Sequence, residues 1–274
     1  MKSKQQETTK PVSNISAHNE IKPDKTDLEP DIIHYYEEDR VSKVVIAAVE
    51  ALWNSVHELT RLRPTAKSVY LVTIFGSARI QPGSEAYERV ADLAEKLTRL
   101  GGGKIGIVTG GGPGLMQAAN EGVARVRADS SDHSIGIKIA LDFEKEANPF
   151  VAKVYEHKDF FSRLHQFVIL SDAYIVVEGG IGSLLELSLV WQLLQVRKLY
   201  NTPFLLLAPM WKALLQWATK WMVEDSSPQL AGEVDMKIPI TPDTTDEAIA
   251  IIEKDMLRWL KEQDQHKALR CPVT

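Results

Sequence analysis

Arg163 and Glu186 are the two side chains of this 274-residue sequence best suited to chemistry on a bound ligand. A carboxylate beside a sugar can orient water or stabilise an oxocarbenium-like transition state, and an arginine can hold that carboxylate in place. Such a pair fits cleavage of a glycosidic bond. Arg163 lies in Asp159-Phe160-Phe161-Ser162-Arg163, on an expected helix, and Glu186 lies on the next helix in the chain. Spacing alone favours a structural salt bridge, so the pair gains meaning only from its surroundings. Glu186 closes the stretch Glu178-Gly179-Gly180-Ile181-Gly182-Ser183-Leu184-Leu185-Glu186. A glycine-rich turn between a strand and a helix exposes backbone N–H groups at the positive end of the helix dipole, where a phosphate is favoured. Ser183 adds a hydroxyl on the same first turn.

Two further turns follow apolar runs. Gly76-Ser77-Ala78-Arg79 offers a backbone that a ligand can approach at Gly76, with Ser77 and Arg79 as contacts for a phosphate or ribose. The alternative is an ordinary tight turn with a solvent-exposed arginine. Thr109-Gly110-Gly111-Gly112-Pro113-Gly114-Leu115-Met116 carries more glycine than is needed to end a strand, which suggests a backbone that touches something. No Gly-Lys-Ser/Thr follows, so it is not a P-loop, and it is not the G-x-G-x-x-G dinucleotide fingerprint. Two glycine-rich turns in one sheet suggest two sides of a single anion-binding crevice, with Gly111, Gly112 and Gly114 helping to position a nucleotide.

The elements that must hold these residues alternate. Strands are expected over 69–75, 105–108, 134–139, 151–155, 173–177 and 203–207. Helices are expected over 85–100, 113–126, 160–170, 183–196 and 210–223. This alternation defines the fold class: an α/β, modified Rossmann-type arrangement with a mostly parallel sheet and helices on both faces. Ligands of such sheets lie beyond the carboxyl ends of the strands, near a switch in strand order. An amphipathic helix over 41–62 leads into the domain. Residues 224–242 are expected to form a loop with one short strand over 237–240, and Thr244 is expected to cap a last helix over 245–262. Residues 1–30 are polar and charged enough to predict a flexible tail. One domain is expected over 31–263, with a C-terminal tail over 264–274.

Composition excludes several classes. A net charge of −5 argues against a nucleic-acid partner. A single cysteine, Cys271, permits no internal disulfide and suits a reducing cytoplasm. No signal peptide or apolar span appears, so no membrane partner and a soluble cytoplasmic chain are expected. No His/Cys/Asp cluster has metal-ligand spacing, and no nucleophile elbow is present, so neither a metal nor a cofactor is expected. The six tryptophans fall in apolar helical patterns that suggest core or subunit interface.

The triple-glycine turn ending in Pro-Gly-Leu-Met, the Arg163 helix, Ser171-Asp172-Ala173 and the Gly-Gly-x-Gly-Ser-x-x-Glu turn occur in the order found in the Lonely Guy family, often labelled lysine decarboxylase-like. The resemblance spans Val69 to Leu207. It implies a modified Rossmann fold, assembly as a homodimer or higher homo-oligomer, and a phosphoribohydrolase. Such an enzyme releases the base and ribose 5-phosphate from AMP or an N6-substituted, cytokinin-type monophosphate. The family's phosphate-binding glycines match Gly179, Gly180 and Gly182, its threonine matches Ser183, and its earlier Gly-Ser loop matches Gly76-Ser77. Its catalytic arginine and glutamate match Arg163 and Glu186. Glu178 stands where the family has proline, putting a carboxylate at the head of the turn that repels a phosphate unless it is paired or points away. Leu185 replaces an acid common in the family. No particular lysine is marked as a pyridoxal-phosphate Schiff base. The alternative function is a nucleotide-binding regulatory or structural protein without turnover.

Overall fold

Apolar runs without polar alternation become strands buried on both faces, as a covered parallel sheet requires. In the computed structural model these are β1 (Tyr70–Phe75), then β2 (Ile105–Thr109) and β3 (Ser134–Ile139), separated by α1 (Glu85–Leu100) and α2 (Leu115–Val126). Next come β4 (Lys153–His157), α3 (Phe160–Leu170), β5 (Ala173–Val176), α4 (Ile181–Gln195), β6 (Phe204–Leu206) and α5 (Pro209–Thr219). The chain closes with α6 (Glu233–Met236) and α7 (Thr245–Ala268). Structure is described for residues 68–100, 102–127, 132–140 and 146–268, with backbone alone over 265–268. The 1–30 segment, the expected helix over 41–62, Trp53 and Cys271 lie outside the described residues.

The six strands form one sheet in the order β4-β3-β2-β1-β5-β6, and every neighbouring pair is parallel. The chain therefore builds outward from β1 to the β4 edge, then crosses back through α3 to lay β5 on the other side of β1. The switch point lies between β1 and β5, so the turns after these two strands face each other there.

Alternate residues of β1 supply two cores. Tyr70, Val72 and Ile74 pack under α1, α2 and α7, with Leu93, Leu97, Ile252 and Trp259 among their neighbours. Leu71 and Phe75 pack on the opposite face with Phe167 of α3, Leu187 and Val190 of α4, and Trp211 of α5. Local chemistry starts the helices where the site needs them. The Asp159 carboxylate accepts from Ser162 N at 2.8 Å and caps α3. Pro209 occupies the first turn of α5, and the Thr244 hydroxyl accepts from Glu247 N at 3.2 Å to start α7.

Three expectations need correction. The strand over 237–240 does not form. Ile240 makes one parallel bridge to Leu205, and the preceding chain forms the short helix α6 instead. Pro239 has no N–H to continue a ladder, so only Ile240 pairs with the sheet. The helix begun at Pro209 does not stay regular to residue 223, but ends in a π turn over Lys220–Glu224. The last helix, expected over 245–262, runs on to Ala268 and into the expected tail. Of the tryptophans, Trp211 and Trp259 are buried in the core, while Trp217 and Trp221 are half-exposed.

A buried Arg–Glu pair at the sheet switch point

The turns after β1 and β5 are stitched together by backbone. Val177 N donates to Phe75 O at 2.9 Å and Ser77 N to Glu178 O at 2.8 Å, while Leu115 N reaches Ser77 O at 2.9 Å. The entry to β5 is fixed by side chains. The Asp172 carboxylate accepts from Leu71 N at 3.0 Å, and Ser171 shares a hydrogen bond with Thr73. These ties set Val72 opposite Ala173, and so bring the Glu178–Gly182 turn beside Gly76 and Ser77.

A cleft of about 440 Å³ opens at this junction, within the usual size range for small-molecule sites. Gly76, Ser77, Ala78 and Arg79 form one wall, and Gly180, Ile181, Gly182 and Ser183 form the other. Arg163, Glu186 and Met116 complete the lining. Gly180 is the N-cap of α4 and makes no side-chain capping bond. No side chain caps the first N–H groups of α4, and the residues that carry them, Ile181 to Ser183, line the cleft, so an anion bound there can take them.

Arg163 and Glu186 come together from different helices. Arg163 Nη1 lies 3.1 Å from Glu186 Oε1, with side chains 13% and 10% exposed. Arg163 Nε also donates to Ile137 O of β3 at 3.0 Å, and its guanidinium carbon lies 5.1 Å from the centre of the Phe167 ring. Three elements thus hold one arginine. Gly110 makes room for it: a Cβ there would fall 2.7 Å from Arg163 Nη2.

Burial pushes the Glu186 carboxyl up to about 7, while the charge and hydrogen bond of Arg163 pull it back down. The folded chain therefore holds a proton that the unfolded chain releases between about pH 4.5 and 7. That contribution to stability is complete below pH 4.5 and is lost as pH rises through 7. Urea unfolding from pH 5 to pH 8 is expected to show this decline, on the order of 2–3 kcal/mol. Glu186→Gln is expected to flatten it.

The expected site residues divide into two groups. Gly76, Ser77, Arg79, Gly180, Gly182, Ser183, Arg163 and Glu186 share the cleft. Gly111, Gly112 and Gly114 do not line it; they are buried beneath it. The Thr109 hydroxyl accepts from Gly111 N at 3.0 Å. The Asn148 amide nitrogen donates to Gly112 O and to the Asn120 carbonyl oxygen, each at 3.0 Å. Gly114 lies at φ 70, and a Cβ there would sit 2.3 Å from Ser77 O, so packing against the β1 turn demands glycine. Gly179 is also outside the lining: its Cα faces Ser183, whose Cβ lies 2.3 Å from where a Cβ would be. Glu178 turns aside to pair with Arg89 of α1. Sequence reasoning missed Met116, Ile181 and Ala78 as lining residues, and the Asn120–Asn148 support. Asn120 alone gave a signal, as a polar residue amid the apolar positions of α2.

An open parallel α/β sheet with its cleft at the switch point is the class that fold and site define. Residues 116–252 match the family described as "Possible lysine decarboxylase", and the chain belongs to that family. The Lonely Guy-type resemblance of the motifs pointed to the same family. No curated protein matches the chain. Among solved structures, it is similar to the molybdenum cofactor carrier protein of Chlamydomonas reinhardtii, with a TM-score of 0.50 at 15% identity, covering 69% of this chain and 99% of that one. It is similar as well to the molybdenum cofactor binding protein of the phototrophic bacterium Rippkaea orientalis, with a TM-score of 0.49 at 15% identity over 70% and 99% of the two chains. The Helicobacter pylori DNA processing protein A gives a TM-score of 0.44 at 19% identity over 70% and 84%. At 15% identity the likeness to the Chlamydomonas reinhardtii protein shows the fold alone. Among the described residues no helix is long and apolar enough to cross a membrane, and no cluster of side chains suits a metal ion.

Proposed function

We propose that the protein hydrolyses the N-glycosidic bond of a purine nucleoside 5'-monophosphate, AMP or an N6-substituted relative, in the cytoplasm. The observation that carries this reading is the buried Arg163–Glu186 pair lining the same cleft as the uncapped start of α4. The N–H groups of that turn and the Ser183 hydroxyl bind the 5'-phosphate, aided by Arg79 across the cleft. Glu186 then faces the ribose. As a carboxylate it orients the attacking water and offsets the positive charge that develops on the sugar as the base departs. Arg163 keeps Glu186 in place and favours its ionised form. Products are the free base and ribose 5-phosphate. The family resemblance adds assembly as a homodimer or higher homo-oligomer.

The family description names a lysine decarboxylase, which would need a lysine to carry pyridoxal phosphate. No lysine lines the cleft. The site does not fit that group.

A second reading, nucleotide binding without turnover, draws on Glu178 at the turn and on the tendency of Glu186 to hold its proton near neutrality. The test is base release from AMP and from adenosine, followed by chromatography. The proposal expects kcat/KM for AMP to exceed that for adenosine by at least about 100-fold, since the phosphate supplies binding energy that adenosine lacks. Equal rates, or tight AMP binding with no base released from any purine monophosphate, would refute it.

A further inference from the structure

We infer that Arg89 sets the affinity of the α4 turn for a phosphate by neutralising Glu178, an inference that rests on the monophosphate reading above. Glu178 sits at a crowded position. Its carbonyl accepts from Ser77 N at 2.8 Å, so its backbone joins the two walls of the cleft. The next two residues are Gly179 and Gly180, where the phosphate-binding turn begins. A bare carboxylate here would repel a phosphate. Instead the side chain leaves the cleft and forms an ion pair with Arg89, on the second turn of α1. Arg89 lies far from Glu178 in sequence and does not line the cleft. Its effect on a ligand therefore acts through Glu178.

The pair is not buried deeply enough to be a core fixture. Arg89 is 40% and Glu178 29% exposed in their side chains, and exposed pairs contribute little to folding. Its charges still lie within a Debye length of the turn, where a phosphate senses them. With both residues present the turn is next to a neutral pair. Without Arg89 it is next to an anion, and without the Glu178 charge it is next to a free cation. Arg89 is thus a positioning residue that permits an acid at a site built for an anion.

The experiment measures the Kd of ribose 5-phosphate by calorimetry at low ionic strength, independently of any turnover. Arg89→Gln is expected to weaken binding about 5- to 10-fold, and Glu178→Gln to tighten it by a similar factor. The double variant is expected to return to within about twofold of the wild type. Added salt should compress these differences, and ribose without phosphate should show no change in any variant. Unchanged thermal midpoints show that each variant is folded. Wild-type affinity in both single variants overturns this inference alone. Equal losses in both, with no recovery in the double variant, assign the pair a structural role and also overturn it. Failure of the wild type to bind ribose 5-phosphate overturns the monophosphate reading and this inference with it.

Discussion

Glu186→Gln is expected to lower base release from AMP by about 100- to 10,000-fold while leaving ribose 5-phosphate affinity within a fewfold of wild type. The amide keeps the volume of the side chain and can still bond one guanidinium nitrogen. What it loses is the negative charge facing the ribose, which matters only as positive charge develops on the sugar. The defect should therefore appear in kcat, with KM nearly unchanged. Wild-type kcat should rise with pH through about 7, because the carboxylate is the working form and burial holds its midpoint there. Steady-state kinetics from pH 5 to 9 reads both effects. A variant that loses affinity but keeps kcat would make Glu186 a binding residue only.

Arg163→Met should be the most destabilising of these changes, and its cost should depend on pH. At pH 8 the wild-type carboxylate is charged and paired, whereas the variant, lacking the guanidinium, keeps Glu186 protonated, so the cost is larger there. At pH 5 Glu186 holds its proton in both forms, and the cost falls by about 1 kcal/mol, the linkage of one proton between the wild-type midpoint near 7 and pH 8. A remainder independent of pH reflects the lost hydrogen bond to Ile137 O and the lost contact with the Phe167 ring. Urea titrations at the two pH values separate the parts. Equal costs at pH 5 and pH 8 would mean that Glu186 does not depend on Arg163 for its charge.

How much of this was legible in the sequence follows from the range of the forces involved. Helices α1 and α3 and strand β3 end where their patterns end, because caps and hydrophobic periodicity are local. β4 was expected over 151–155 and lies at Lys153–His157. It is an edge strand whose exposed Lys153, Val154 and Glu156 give no continuous apolar run to mark it. The two glycine turns look alike in sequence and differ in space. One opens into the cleft at Gly180 and Gly182, while the other is folded inward on Asn120 and Asn148. A count of glycines cannot distinguish a backbone that meets a ligand from one that meets its own chain. The partner of Glu178 was invisible for a simpler reason: Arg89 reaches it only through the packing of α1 on the sheet.

In the proposed reaction Arg163 and Glu186 act on the sugar–base bond of a monophosphate held by the α4 turn. Analysis of both products from one incubation with AMP tests it most directly. Adenine and ribose 5-phosphate are expected in equal amounts from the wild type, and neither from Glu186→Gln beyond the trace its residual rate allows. AMP bound and recovered intact from the wild type, or adenosine and free phosphate in place of those products, would contradict it.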